Sequence, residues 1–322
     1  GNTRNGAMPI VPATPDAIRR AAQALARGEI VAFPTETVYG LAANALDARA
    51  VAKVFAAKER PRFNPLIVHV QGLAEAGEYG LVNEAARKLA SAFWPGPLTL
   101  VMKRRSTCGI ADLVSAGLDT IALRAPDHPV AQALLAKAAH PLAGPSANRS
   151  GRISPTAAAH VEAELGDRPA MILDGGPSPL GIESTVVSVV GEAALLRPGA
   201  VPRETIERVL GTPLVAAKAG ERAASPGQLP AHYAPMTPLR LDAHAVHADE
   251  ALLAFGGDVP AGARVTVNLS QSGNLEEAAS KLFGALRELD QAGATAIAVM
   301  PIPAFGLGEA INDRLRRAAN RG

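Results

Sequence analysis

Apolar positions recur along this chain with two periods. Ile18, Ala21, Ala22 and Leu25 follow the helical spacing. Thr14-Pro15-Asp16 opens that helix with a capping hydroxyl and a proline in the first turn, and Gly28 stops it. Short apolar runs predict strands at 30–33, LIVHV (66–70), LTLVMK (98–103), TIALR (120–124), AMILD (170–174), STVVSVV (184–190) and AALLR (193–197). Gly191-Glu192 joins the last two as a hairpin signal. Asp47 caps a second helix, with Val51, Val54 and Phe55 on one face and a frayed end near Arg60-Pro61. Further helices are expected from Asn83 to Phe93, along HPVAQALLAKAA, and from Ser154-Pro155 to Gly166. Helices and strands alternate without a strict βαβ rhythm. The expected class is α/β, with a twisted mixed sheet and flanking helices.

From about residue 212 the texture changes. TPLVAAKAGERAASPGQLPAHYAPMTP (212–238) carries five prolines, few apolar clusters and no sustained period, the composition of a linker. Strands near 239–241, 251–255, 264–268 and 295–300, with a helix at 274–292, then make a small α/β domain. A chain of 322 residues exceeds one typical core, so two domains are expected, over 8–212 and 238–322, joined by a linker or lid over 213–237. GNTRNGA (1–7), ahead of Met8, reads as an expression remnant.

Composition narrows the classes. Hydrophobic residues at 48% and charged residues at 19% fit a folded globular chain rather than a disordered one. A net charge of +2 is too small to drive non-specific nucleic-acid binding, so any basic site is local. The lone Cys108 excludes a disulfide framework and a cysteine-rich zinc site. No apolar run approaches the ~20 residues of a membrane span, and no basic-plus-apolar leader is visible. A cytoplasmic location is expected.

Common catalytic signatures are absent: no phosphate-loop G-x-x-x-x-G-K-[ST], no G-x-S-x-G elbow and no H-E-x-x-H. Polar clusters at element ends stand out instead. In FPTETVYGLAANALD (33–47) a strand stops at Pro34, and Thr35, Glu36 and Thr37 follow, then Tyr39. These groups either satisfy a turn or face a ligand. KERPRFNP (58–65) sets Lys58, Arg60 and Arg62 within five residues, more than a helix dipole needs; a triphosphate is the natural counter-charge. Arg124 closes an apolar strand in RAPDHP and needs a carboxylate, from Asp127 or from a ligand. GPSANRSG (144–151) offers Ser146 and Asn148, GIESTVV (181–187) offers Ser184 and Thr185, and LRPG (196–199) ends another strand in arginine. His69 in LIVHV reads, by itself, as a satisfied core histidine.

Together, PTETVYGL, K-x-R-P with NPL, L-R-x-P, PSAN-x-SG, EST-V-V and RPG, in this order and spacing, resemble the YrdC-like threonylcarbamoyl-AMP synthases over about residues 15–212. SPGQLPAHYAP (225–235) is similar to the linker of the long form, and GLGEAINDRLRRAA (306–319) to the end of its small Rossmann-like C-terminal domain. The resemblance implies a nucleotidyltransferase that joins L-threonine, bicarbonate or CO2 and ATP into threonylcarbamoyl-AMP and pyrophosphate. The product then passes to a tRNA threonylcarbamoyltransferase complex. It assigns threonine recognition to Thr35, His69, Arg124, the Gly144 backbone and Ser184, with Tyr39 walling the pocket. It assigns the nucleotide to Lys58, Arg60, Arg62, Ser146, Asn148 and Arg197, with Thr120 and Ser154 as additions, and has His232 and Tyr233 fold back over the pocket. Mg²⁺ would accompany ATP through phosphates and water, with no metal site in the protein. Gly144 departs from the alanine usual in the family and is expected to do little harm, since that position contributes backbone.

Two rival readings follow from the same fold. A carbamoyltransferase of hydrogenase maturation would need zinc-finger cysteines, and only Cys108 is present. An RNA-binding module is disfavoured by near-neutral charge and 3% aromatics. Direct tRNA binding is compatible with the fold but not required.

Overall fold

The computed structural model describes residues 9–218 and 231–320. Eleven strands form the first sheet: β1 (Ile10–Pro12), β2 (Val31–Phe33), β3 (Gly40–Asn44), β4 (Ile67–His69), β5 (Leu98–Lys103), β6 (Thr120–Arg124), β7 (Leu142–Ala143), β8 (Met171–Asp174), β9 (Thr185–Ser188), β10 (Ala194–Arg197) and β11 (Val215–Ala216). Their order is β1-β8-β2-β3-β7-β4-β6-β5-β9-β10-β11, with parallel and antiparallel neighbours mixed as expected. Gly191 lies between β9 and β10, which pair antiparallel.

The two predicted caps hold: Thr14 accepts from Ala17 N, and Asp47 from Arg49 N and Ala50 N. The helix expected from Asn83 begins at Glu84, with Asn83 as its cap, accepting from Ala86 N. The helix begun at Asp47 ends at Lys58, where Glu59 turns into the left-handed region.

The helix expected from Ser154 starts at Ala158 instead. The Ser154 hydroxyl donates to Glu183 and the Pro155 carbonyl accepts from Tyr39 N, so this stretch is committed elsewhere. Apolar pattern also missed β1, β3, β7 and β11, and the helices Leu73–Tyr79, Arg203–Leu210 and Gly308–Ala319. In β3, Ala42 and Ala43 are too small to register as a strand signal, yet both are fully buried. Gly40 is required at its start: a Cβ there would lie 2.8 Å from the Phe33 ring.

One face of the sheet is sealed. Val68, Leu100, Leu123 and Val187 pack there against the helices Ala48–Lys58 and Glu84–Phe93. The opposite face is covered at one end by helices Pro15–Ala26 and Pro129–Ala138, packed on Val31, Phe33 and Leu142. Beyond them it carries a smaller apolar cluster of Ile67, Val101, Ala122, Val186 and Leu196, beside which the polar clusters converge.

The second sheet, β12 (Leu239–Arg240), β13 (Ala251–Ala254), β14 (Thr266–Asn268) and β15 (Ile297–Val299), is wholly parallel in the order β12-β15-β13-β14. Helices Leu275–Asp290 and Gly308–Ala319 pack on one of its faces. That core also takes in Val38, Ile153, Ile182 and Tyr233, so the second domain is built against the loops of the first.

Candidate functional site

A cleft opens over the partly covered face, lined among others by Thr35, Thr37, Arg60, His69, Arg124, Gly144, Ser146, Glu183, Ser184, Arg197, His232 and Tyr233. Residues from six separate sequence clusters therefore meet in one place.

At one end stands Arg124, 3% exposed. Its carboxylate partner is Glu36, at 2.7 Å, and not Asp127; Glu36 accepts instead from the Asp127 backbone N–H, also at 2.7 Å. The other Arg124 terminal nitrogen donates to Thr37 Oγ1 at 3.2 Å. Thr35 donates to the Val38 carbonyl at 2.7 Å and lies 2.9 Å from Thr37 Oγ1, so the Thr37 proton goes to Thr35. The hydroxyls of the TET stretch satisfy a turn, and that turn holds Arg124 through Thr37. Burial and the Arg124 charge push His69 well below its usual range, so it is a neutral imidazole.

At Gly144 a Cβ would fall 2.9 Å from His69 Nδ1 and 3.3 Å from the Phe33 ring, so these two side chains fill the space beside its backbone. Tyr39 does not wall the cleft. Its ring is fully buried in the main core and its hydroxyl donates to the Gly176 carbonyl at 2.7 Å, with burial pushing its pKa up to about 12.

The other end is cationic. Arg60 donates to the Pro65 carbonyl, and burial with the neighbouring Arg197 charge lowers its pKa to about 9. Arg197 donates twice to the Ser184 carbonyl, at 2.7 and 3.1 Å, and once to Ser184 Oγ at 3.1 Å. Ser184 Oγ also meets Thr99 Oγ1 at 2.8 Å. Beneath the cleft, the Lys58 ammonium donates to the Ser146 and Asn148 carbonyls. Burial, then Arg60, lowers the Lys58 pKa well below normal. His232 is held neutral by burial and by the charges of Lys58, Arg60, Arg197 and Arg314. So many cations around one neutral histidine give this end of the cleft a positive potential.

Lys58, Asn148 and Ser154 form a layer under the cleft rather than its lining. Arg62 is exposed and outside it. Thr120 shares a face of β6 with Ala122 and Arg124, past the apolar cluster. Of the linker, 219–230 lies outside the described residues; His232 and Tyr233 are buried in the cleft. Among the described residues no group of three or more His, Cys, Asp or Glu could hold a metal, and no helix is long and apolar enough to cross a membrane.

Sequence reasoning missed Glu36 as the partner of Arg124, and it missed Glu183 and Arg314. Arg314 carried a signal: it falls on the apolar face of its helix with Ile311, Leu315 and Ala318.

Comparison with known proteins agrees with this geometry. Residues 23–199 match the Sua5/YciO/YrdC family model, described as telomere recombination, and 201–320 match a model described as threonylcarbamoyl-AMP synthase, C-terminal domain. The chain is 41% identical to the threonylcarbamoyl-AMP synthase of Bacillus subtilis (strain 168), over 94% of this chain and 92% of that one. It superposes on a crystal structure of P. abyssi Sua5 complexed with L-threonine with a TM-score of 0.87 and 36% identity, over 96% of both chains. A variant of that protein, with a histidine and a tyrosine replaced by alanine, superposes equally well, at 35% identity and 96% coverage of both chains. With both of its domains matched along nearly the full length, the chain belongs to the threonylcarbamoyl-AMP synthase family of YrdC-like proteins, in the two-domain form.

Proposed function

We propose that this protein is an L-threonylcarbamoyladenylate synthase, a nucleotidyltransferase acting on L-threonine, bicarbonate-derived CO2 and ATP. One observation carries the reading. A single cleft holds an aimed arginine with hydroxyls and a neutral histidine at one end, and a cluster of buried cations at the other. Support comes from the relatives named threonylcarbamoyl-AMP synthase and from the threonine-bound neighbour.

The chemistry needs no protein nucleophile. The threonine amine adds to CO2, losing a proton, to give a carbamate. A carbamate oxygen then attacks the α-phosphorus of ATP, and pyrophosphate leaves. Two anions must meet in line, so the protein supplies positive charge and alignment. In this reading Arg124 takes the threonine carboxylate, with Thr35, His69, Gly144 and Ser184 around the amino acid. Arg60 and Arg197 face the phosphates, with Ser146 beside them and Lys58 and Asn148 bracing from below. Ile67, Val101, Ala122 and Val186 offer an apolar floor for the base, with Thr120 past it and Ser154 acting through Glu183. Mg²⁺ enters as the counter-ion of ATP, since the described residues offer no cage of their own.

The product would feed a tRNA threonylcarbamoyltransferase complex in the cytoplasm, for modification of tRNA adenosine. The domains divide as a catalytic unit over 8–212, a linker over 213–237 and a C-terminal unit over 238–322, with β11 extending the first sheet past 212. The test is pyrophosphate release from ATP with threonine and bicarbonate present or withheld. Release is expected only with both; equal turnover without threonine removes the reading.

A further inference from the structure

Arg314 belongs to the second domain, on helix Gly308–Ala319, yet two of its partners, Glu183 and Pro198, belong to the first. Its Nε donates to Glu183 Oε1 at 2.9 Å, and its Nη1 donates to the Pro198 carbonyl at 2.7 Å and to Asp313 at 2.8 Å. Its guanidinium carbon lies 5.3 Å from the centre of the Tyr233 ring. The side chain is 0% exposed, and Nη2 has no hydrogen-bond partner.

The two contacts to the first domain lead to the cleft. Glu183 Oε2 accepts from Ser154, and the next residue is Ser184. Pro198 follows Arg197, whose guanidinium is bonded to Ser184. The two loops touch so closely that a Cβ on Gly199 would fall 2.4 Å from the Ser184 carbonyl carbon. Gly181, at φ +71°, lies against the second domain with the same tightness; a Cβ there would sit 2.5 Å from the Ser280 carbonyl oxygen. The loop 181–184 is therefore clamped on both sides by the second domain.

We propose that Arg314 is a positioning residue for the adenylation: the second domain completes the active site by fixing, through Glu183 and the Pro198 carbonyl, the places of Ser184 and Arg197. This rests on the functional reading above. A stability role is the weaker account. A buried ion pair adds little stability over well-packed apolar replacements, whereas a planar fork that holds a carboxylate and a carbonyl at once fixes geometry.

The test uses the full chain and threonine-dependent pyrophosphate release. Arg314→Met replaces the buried pair by an apolar side chain, Arg314→Lys keeps a charge without the fork, and Glu183→Gln keeps the shape of its partner. Arg314→Met is expected to keep the domains docked, by melting and limited proteolysis, while turnover falls about 100-fold, the scale of a 1 Å misplacement. Arg314→Lys should recover only part of the loss. The double variant Arg314→Met with Glu183→Gln should be no worse than the poorer single variant. A folded Arg314→Met with turnover within about twofold of the parent, or losses that add across the double variant, would overturn the proposal. If Arg314→Met does not fold, Glu183→Gln decides: unchanged turnover sinks the idea and a matching loss supports it. A parent protein without threonine-dependent turnover would strike at the functional reading instead.

Discussion

Arg124 and Glu36 are 88 residues apart in sequence and 2.7 Å apart in space, both buried, at one end of the cleft. The pair leaves one terminal nitrogen of Arg124 turned to Thr37 and His69. Arg124→Ala would strand the Glu36 carboxylate, at a cost of about 3–5 kcal/mol. Arg124→Met with Glu36→Gln is the better comparator. Its threonine affinity should fall by roughly 10- to 150-fold, the worth of a charge-assisted contact, with ATP affinity little changed. Calorimetry on the folded variant decides; intact threonine binding would make the pair purely structural.

His232 is uncharged because burial and the charges of Lys58, Arg60, Arg197 and Arg314 bear on it, and Tyr233 packs beside it. A bound triphosphate offsets those charges and raises its pKa. ATP binding near pH 6 should therefore take up protons, seen as a binding heat that depends on the ionisation heat of the buffer. His232→Gln controls for the protons of ATP itself. Equal uptake in the variant would remove His232 from the nucleotide site.

Acid should destabilise the fold through its buried histidines. Burial and Arg287 lower the His160 pKa from the ordinary 6.5 to about 4, and His69 and His232 are depressed as well. The unfolded chain then binds more protons below pH 6.5, so this stability is complete above that pH and is lost as pH falls towards 4. Melting temperature should drop across that window, with a shallower drop in His160→Gln. A flat profile, or identical slopes, would contradict the assignment.

Much of this was legible because local rules and tertiary needs agree. Thr14, Asp47 and Asn83 cap the helices that the apolar periods announce, and LIVHV and TIALR are buried strands. Reading failed where a residue serves something distant. Ser154 resembles a cap, yet its proton goes to Glu183, 29 residues on. Tyr39 stands among pocket residues, yet it anchors the Gly175-Gly176 turn, 136 residues and more along the chain. Arg124 announced its need for a carboxylate, and the sequence offered Asp127 or a ligand; the partner is Glu36, 88 residues away, which no local pattern marks. The clusters in the site could be read as a set because each keeps its own short pattern; their partners, scattered one residue at a time, keep none.

Tyr233 tests the last wall of the cleft. Its backbone is left-handed, at φ +58°, a strained choice for a tyrosine. Its ring stacks on Phe283 at 5.6 Å and lies 3.9 Å from the His232 ring. The hydroxyl, though buried, has no hydrogen-bond partner, which costs about 1–3 kcal/mol. A group kept at that cost beside a cationic cleft fits a donor to the nucleotide or its pyrophosphate. Tyr233→Phe should then melt higher than the parent when free, because it sheds the orphaned hydroxyl, yet bind ATP more weakly. Tyr233→Ala should lose the stack as well and melt lower. Paired melts with and without ATP read both effects at once. If Tyr233→Phe leaves the free melting temperature and the ATP-induced shift unchanged, the ring alone matters and the hydroxyl has no part in binding.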